Sequence, residues 1–337
     1  MRKAKITIVG LGLVGTSLGL ALREQGGNYE VVGHDREPAA ATRARKRGAV
    51  DATEWNLIAA CEEADLICLA LPLAGIRSTL EAIAQDLKPG TIVTDTATLK
   101  GPVLTWAEEL LPAHVSFVGG NPILAPAEAV QAAQGVEAAS ASLFKGARYC
   151  LTPSPGADPE AVQVVSDMVT SIGAEPYFLD AAEHDGLMAW VHDLPTLVGA
   201  ALMETASSAS AWHEARRLAG ETFAGATGAL HDAETLTHLL LGNAANLFRL
   251  LDLFQERLDA LRRLVEAQDA EGLQALLGSL VEARDRWVLD RERGRWEEVP
   301  RPEMPTKGEL YGGLLGLGGS WTARFRREQG KEQGKKG

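Results

Sequence analysis

The chain has 337 residues, 46% hydrophobic and 23% charged, which is enough apolar material for two folded domains and too much for extended disorder. Its net charge of −12 argues against nucleic acid or an anionic membrane as a general partner, because both call for a positive field. Cys61, Cys68 and Cys150 stand far apart in apolar contexts without CxxC or metal-ligand spacing, so they read as buried thiols and no metal site is expected.

The opening "MRKAKITIVGLGLVG" runs directly into a strand and a glycine loop, and no uninterrupted apolar run of about 18 residues follows, so the protein is expected to be cytoplasmic. From Ile6 to about Asp180, short apolar runs alternate with helical stretches: "ITIVG", "VVGHD", "LICLALP", "IVTDT", "VSFVGG", "YCLTP" and "PYFLD". That alternation predicts an α/β domain over residues 1–180, a doubly wound parallel sheet with helices on both faces. After Asp180, apolar residues recur at three- and four-residue steps, which predicts an all-helical domain over 181–297. Asp180 with Glu183 three residues on has the pattern of a helix N-cap and its reciprocal partner. The leucine-rich stretch from Asn243 to Leu289 carries more apolar surface than one small helical domain would hide, which points to a homodimer. Residues 298–337 read as a proline-rich and basic tail.

Gly10, Gly12 and Gly15 form G-x-G-x-x-G directly after the first strand and before an amphipathic helix. The first glycine permits the tight turn, the second lets backbone N–H groups approach a pyrophosphate, and the third lets helix and strand pack closely. Leu13 and Val14 would open that helix, and Leu71 and Pro72 would lie at the sheet's carboxyl edge where the dinucleotide binds. Twenty residues beyond Gly15, Asp35 can accept both adenosine ribose hydroxyls. Its charge favours NAD, while Arg36 beside it keeps NADP as an alternative.

In "FVGGNPILAP", two glycines let a backbone approach something closely, and one amide, Asn121, is held in place by Pro122. The segments "GLGLVGTSLGLAL", "ADLICLALP", "VTDTATLKG", "FVGGNP" and "AAEHD…LP" resemble, in order and spacing, the prephenate and arogenate dehydrogenases of tyrosine biosynthesis. The resemblance covers the first two hundred residues well. It implies a Rossmann domain followed by a helical dimerisation domain, with the active site between them. It also implies NAD(P)-dependent hydride removal from a ring carbon of a small-molecule substrate, base removal of the hydroxyl proton, and loss of CO₂.

Carried over residue by residue, the resemblance is uneven. Thr98 takes the place of a serine that supports the family's base, and Lys100 matches too, with a structural or solvent-facing role for a helix-start lysine weighed at least as heavily as a functional one. Asn121 stands where the family has its catalytic histidine. An amide can hold a carbonyl or hydroxyl but has no pKa near neutrality with which to take a proton. "HDLPT" puts Asp193 and Thr196 at two further histidine positions, with His192 one residue early, and Ala224 replaces an arginine that grips a substrate carboxylate.

Asp193, just before helix-kinking Pro195, is the leading candidate for replacement chemistry, weighed evenly against an ordinary surface carboxylate. In position it resembles the acid on the interdomain helix of imine reductases, so a dehydrogenase or imine reductase for another small molecule is the alternative function. A cofactor-binding protein without catalysis stands behind both. His192 is the other possible base, although a one-residue offset turns it by about 100°. His184 reads as a packing or capping residue, and His213, His231 and His238 as surface histidines. Arg216 and Arg217 could restore an anion grip, with a solvated face the commoner reading. Trp190 and Trp212 read as packing residues.

Overall fold

The computed structural model describes residues 3–124 and 135–294; the segment 298–337 and its predicted tail lie outside these. Eight strands, β1 (Ala4–Val9), β2 (Tyr29–His34), β3 (Ala52–Thr53), β4 (Leu66–Leu69), β5 (Ile92–Asp95), β6 (Ser116–Ile123), β7 (Arg148–Pro153) and β8 (Glu175–Phe178), form one sheet in the order 3-2-1-4-5-6-7-8. The first six pair in parallel, as the alternating pattern predicts. Two features differ from the expectation. β3 is too short to leave an apolar signal, and β7 runs antiparallel to β6. The described part of the β6–β7 connection holds one turn of 3₁₀ helix, Val136–Ala138, rather than the long crossover helix that parallel pairing usually employs.

Six helices interleave with the strands: α1 (Leu13–Gln25), α2 (Pro38–Lys46), α3 (Leu57–Cys61), α4 (Leu73–Ile83), α5 (Gly101–Leu110) and α6 (Pro159–Ser171). Leu18 and Leu22 of α1, Ala44 of α2 and Val165 of α6 pack on one face of the sheet. Cys61 of α3, Ile76 and Leu80 of α4 and Val103 of α5 pack on the other. Both faces are therefore covered, which explains why the central strands read as continuous apolar runs. All three cysteines are free and buried; burial pushes the Cys61 and Cys68 thiols up to about 12 and the Cys150 thiol to about 11.

The chain then enters α7 (Ala181–Met188), where the Asp180 carboxylate accepts from the Glu183 N–H at 2.7 Å, the N-cap that the sequence predicts. One π turn, Ala189–Asp193, separates α7 from α8 (Leu194–Ser207). There the Leu194 N–H bonds the Ala189 carbonyl, and the extra residue lets the backbone pass Pro195, which has no N–H of its own. The composite helix Ala181–Ser207 is long and apolar enough, by length and composition, to cross a membrane. In this fold it instead carries buried His184, Asp185 and Asp193 into contact with the sheet and the later helices.

The helical part continues with α9 (Trp212–Ala215), α10 (Glu221–Thr227), α11 (Ala233–Gly242), α12 (Ala244–Glu266) and α13 (Ala270–Arg293). α13 buries none of its residues, and Leu241, Phe248, Leu258, Val265, Leu280 and Trp287 are exposed. Trp212 packs its ring against Phe223 at 5.4 Å between centroids, as expected of a packing residue. Trp190 does not pack in this way: it is 53% exposed, because it lies on the outer side of the π turn while Ala189 and Asp193 take the inner one.

Candidate active site

The glycine loop is built as its spacing predicts. Gly10 has φ +91°, and a Cβ there would lie 2.3 Å from the Ala70 carbonyl oxygen; a Cβ on Gly15 would lie 1.9 Å from the Gly10 carbonyl oxygen. These two glycines are fixed by backbone packing. Gly12 is different, since a Cβ there would meet nothing within 4 Å, leaving open space at the N-terminus of α1. The first intrahelical bond runs from the Thr16 N–H to the Gly12 carbonyl, so the N–H groups of Leu13, Val14 and Gly15 are the orphan donors of a helix start. A cavity of about 250 Å³ opens here, lined by Gly12, Leu13, Val14, Leu71, Pro72 and Thr98, with Thr235 and Leu239 of α11 closing it from the helical side.

Asp35 directly follows β2 and accepts from the Leu11 N–H and the Glu37 N–H, each at 2.7 Å and each on a different oxygen. One lone pair per oxygen stays free for a pair of ribose hydroxyls. Arg36 is exposed beside it. Open space above Gly12, orphan N–H donors and a carboxylate at the second strand's end together fit a dinucleotide.

At the carboxyl edge of β5 and β6 lies a fully buried ion pair. Lys100 Nζ donates to Asp95 Oδ2 at 2.5 Å and to the Gly120 carbonyl at 2.6 Å, while Asp95 Oδ1 accepts from the Gly120 N–H at 3.0 Å. Both sides of the Gly120 peptide are therefore gripped, one residue before Asn121. Burial pulls the Lys100 ammonium below its ordinary range and the Asp95 carboxylate opposes that pull. This geometry favours a structural role for Lys100 and rules out the solvent-facing one, because the side chain is sealed within the fold. The two glycines of "VGGNP" also receive their explanation. A Cβ on Gly120 would lie 2.6 Å from the Asp95 carbonyl oxygen and 2.7 Å from the Tyr149 ring, and one on Gly119 would lie 2.3 Å from Thr152 Oγ1. The close approach is to neighbouring strands rather than to a ligand.

Asn121 itself is 4% exposed, on β6 opposite Cys150 of β7. Its Nδ2 lies 3.0 Å from Nε2 of His184, which is 1% exposed, and His184 Nδ1 lies 2.8 Å from Asp185 Oδ1. Asp185 also accepts from the Lys100 N–H at 2.8 Å and the Gly101 N–H at 2.7 Å, so it caps α5 from the linking helix. Gly101 makes this possible, since a Cβ there would stand 2.9 Å from Asp185 Oδ2. His184 does pack at a helix start, as its pattern suggests, but it also touches the Asn121 amide. The sequence signal for that was the "EHD" triplet, read there as capping.

Asp193 is fully buried, not a surface carboxylate. Oδ1 faces His192 Nδ1 at 2.9 Å and Oδ2 accepts from Asn243 Nδ2 at 2.6 Å, with Asn243 also bonding the Asp185 carbonyl. Both oxygens are engaged inside the protein, so this geometry offers Asp193 as an orienting group rather than as one that meets an imine or amine directly. His192 is turned toward Asp193 through Nδ1 while its side chain stays 33% exposed, and among the described residues Nε2 has no partner. Thr196 is buried and donates to the carbonyl of His192, so it serves its own helix. Ala224 is exposed on α10, and Arg217 pairs with Glu214 one turn away at 3.7 Å, both exposed. His213, His231 and His238 are exposed. Among the described residues no cluster of three or more metal-ligating side chains occurs.

Residues 18–178 match the family model described as prephenate dehydrogenase, nucleotide-binding domain, and residues 180–279 match that described as prephenate dehydrogenase, dimerization domain. The chain is 30% identical to the prephenate dehydrogenase of Lactococcus lactis over 275 residues, covering 80% of this chain and 73% of that protein. It is similar to the crystal structure of Synechocystis arogenate dehydrogenase, with 31% identity, a TM-score of 0.69, and 84% of this chain and 99% of that one covered. The fold is shared with prephenate dehydrogenase from A. aeolicus in complex with hydroxyphenyl propionate and NAD+, at a TM-score of 0.77 and 24% identity over 85% of this chain and 99% of that one.

The Lys100 pair yields a stability prediction. Lys100→Met preserves side-chain volume but leaves the Asp95 carboxylate buried and unpaired, at a cost of about 3–5 kcal/mol. Urea unfolding should show that loss; a change below about 1 kcal/mol would mean that the pair does not hold β5 against β6.

Proposed function

The chain belongs to the prephenate dehydrogenase family, and from that membership we propose that it is an NAD-dependent dehydrogenase that oxidatively decarboxylates a cyclohexadienyl substrate, prephenate or arogenate, toward the tyrosine ring. The observation that carries this reading is the buried contact between Asn121 on β6 and His184 on the linking helix, formed beside the pair that fixes Gly120. It gives the sheet edge a polar side chain at the position where the family acts on the ring. The hydride acceptor is supplied by NAD+ when it is bound. The α1 N-terminus and Asp35 hold that dinucleotide, and the Asp35 charge disfavours a 2′-phosphate despite the neighbouring Arg36. Thr98, in the wall of the cavity, adds a hydroxyl near the ring.

Asn121 orients the substrate without taking its proton. We assign proton removal to His192, whose Nδ1 is held by the buried Asp193 carboxylate and whose Nε2 is left as the available lone pair, the same division of roles as in other His–Asp pairs. In this reading residues 1–180 are the nucleotide-binding domain and 181–297 the substrate and dimerisation domain, with the proline-rich and basic tail of the sequence over 298–337. The exposed apolar face of α11 to α13 and the matched dimerization-domain model support a homodimer working in the cytoplasm.

Absorbance at the reduced-nicotinamide band, with NAD+ and prephenate or arogenate, tests the assignment. Turnover is expected with at least one of them, and His192→Asn should lower kcat about 100-fold or more. No turnover with either, while NAD+ binds, would contradict the substrate reading; an unchanged kcat in His192→Asn would remove His192 as proton acceptor. Sedimentation should give twice the chain mass, and a monomer at micromolar concentration would contradict the dimer.

A further inference from the structure

The amide of Asn121 has two faces with opposite chemistry, and the structure contains what decides between them. Asp185 accepts the Lys100 N–H on Oδ1 and the Gly101 N–H on Oδ2 at the N-terminus of α5, so both of its oxygens act as acceptors there. An ionised carboxylate only accepts, so the proton between it and the imidazole belongs to His184 Nδ1. In the neutral ring Nε2 is then a lone pair, and its neighbour at 3.0 Å must be a donor, the Nδ2 group of Asn121. With Nδ2 committed inward, Oδ1 is the remaining end of a planar amide, and among the described residues no donor reaches it.

We propose that the His184–Asp185 pair fixes Asn121 with its nitrogen inward and its oxygen toward the substrate, so that the site selects a hydrogen-bond donor, a hydroxyl or an amino group, on the reacting ring carbon; a hydroxyl's one hydrogen rests on Oδ1 in the bound state and passes to His192 only as the ring carbon gives up its hydride. The inference rests on the reading that the substrate ring reaches Asn121. It assigns His184 as a positioning residue: it never meets the substrate and acts by orienting the group that does. A site with a free histidine at this position could serve as donor or acceptor. An amide locked in one orientation cannot, and it discriminates against a ring that offers only an acceptor, because two acceptors would then face each other in a buried place.

Two ring ligands of similar size separate the cases: 3-(4-aminophenyl)propionate presents a donor, and 3-(4-fluorophenyl)propionate presents only a weak acceptor. Their affinities for the full-length protein with NAD+ bound are measured calorimetrically at about pH 8, where an ordinary imidazole is neutral. The amino ligand should bind at least about tenfold more tightly. His184→Leu, which cannot accept from Nδ2, should bring the two within about threefold, and His184→Gln, whose Oε1 can accept, should restore the preference. Equal or inverted affinities in the unmodified protein would overturn the proposal, and this holds even if the leucine variant fails to fold. A preference that survives in a folded His184→Leu would overturn the role given to His184. If neither ligand binds while NAD+ does, the ring-substrate reading fails and takes the proposal with it.

Discussion

The carboxylate of Asp185 is the point on which the two halves of this protein meet. It sits on the linking helix, caps α5 of the nucleotide-binding half through two backbone N–H groups, and receives the ring of the preceding histidine. α5 has no side chain of its own at its N-cap that bonds its first turn, so the cap comes from 85 residues further along the chain. A charged acceptor at a helix start is stabilised by the local dipole and is worth more when buried than on a surface. Removing it would release orphan donors, a histidine and the docking of the helix together.

Around that carboxylate the polar groups are arranged so that each buried charge is answered. The Lys100 ammonium stands between Asp95 and the Gly120 carbonyl, and Asp193 stands between His192 and Asn243. Such pairs contribute little net stability compared with an apolar core, and their value lies in fixing one geometry. Here the geometry fixed is that of a short segment, Gly120 and Asn121, held from the sheet side by Lys100 and from the helix side by His184. The π turn extends the same logic, since it carries Asp193 inward and leaves the His192 side chain partly exposed. Turnover with an amide at the histidine position would then follow from dividing orientation and proton transfer between two places.

Much of the sheet was legible because its signals are local. Continuous apolar runs gave the central strands, glycine spacing gave the first βα turn, and Asp180 with Glu183 gave the start of the linking helix. The reversal at β7 was not legible, because the pairing direction depends on a connection whose described part carries no periodic pattern. The polar network was hidden for a related reason: Asp95 to Lys100, Lys100 to Asp185 and Asp193 to Asn243 join distant residues, and a side chain's partner leaves no periodicity. The sequence suggested a surface carboxylate as the even alternative for Asp193, since Pro195 announces a distortion of the helix but not which side chain it turns inward. His184 was legible as a helix-start residue and illegible as the partner of Asn121, 63 positions away.

The most direct test of this account is the tautomer of His184, observed by long-range nitrogen–proton NMR of the histidine rings, with the resonance assigned by its loss in His184→Gln. The ring should carry its proton on Nδ1, with Nε2 bare and accepting a hydrogen bond. A ring protonated at Nε2 would contradict it, because the Asn121 amide would then have to turn its oxygen inward and present the substrate with a donor.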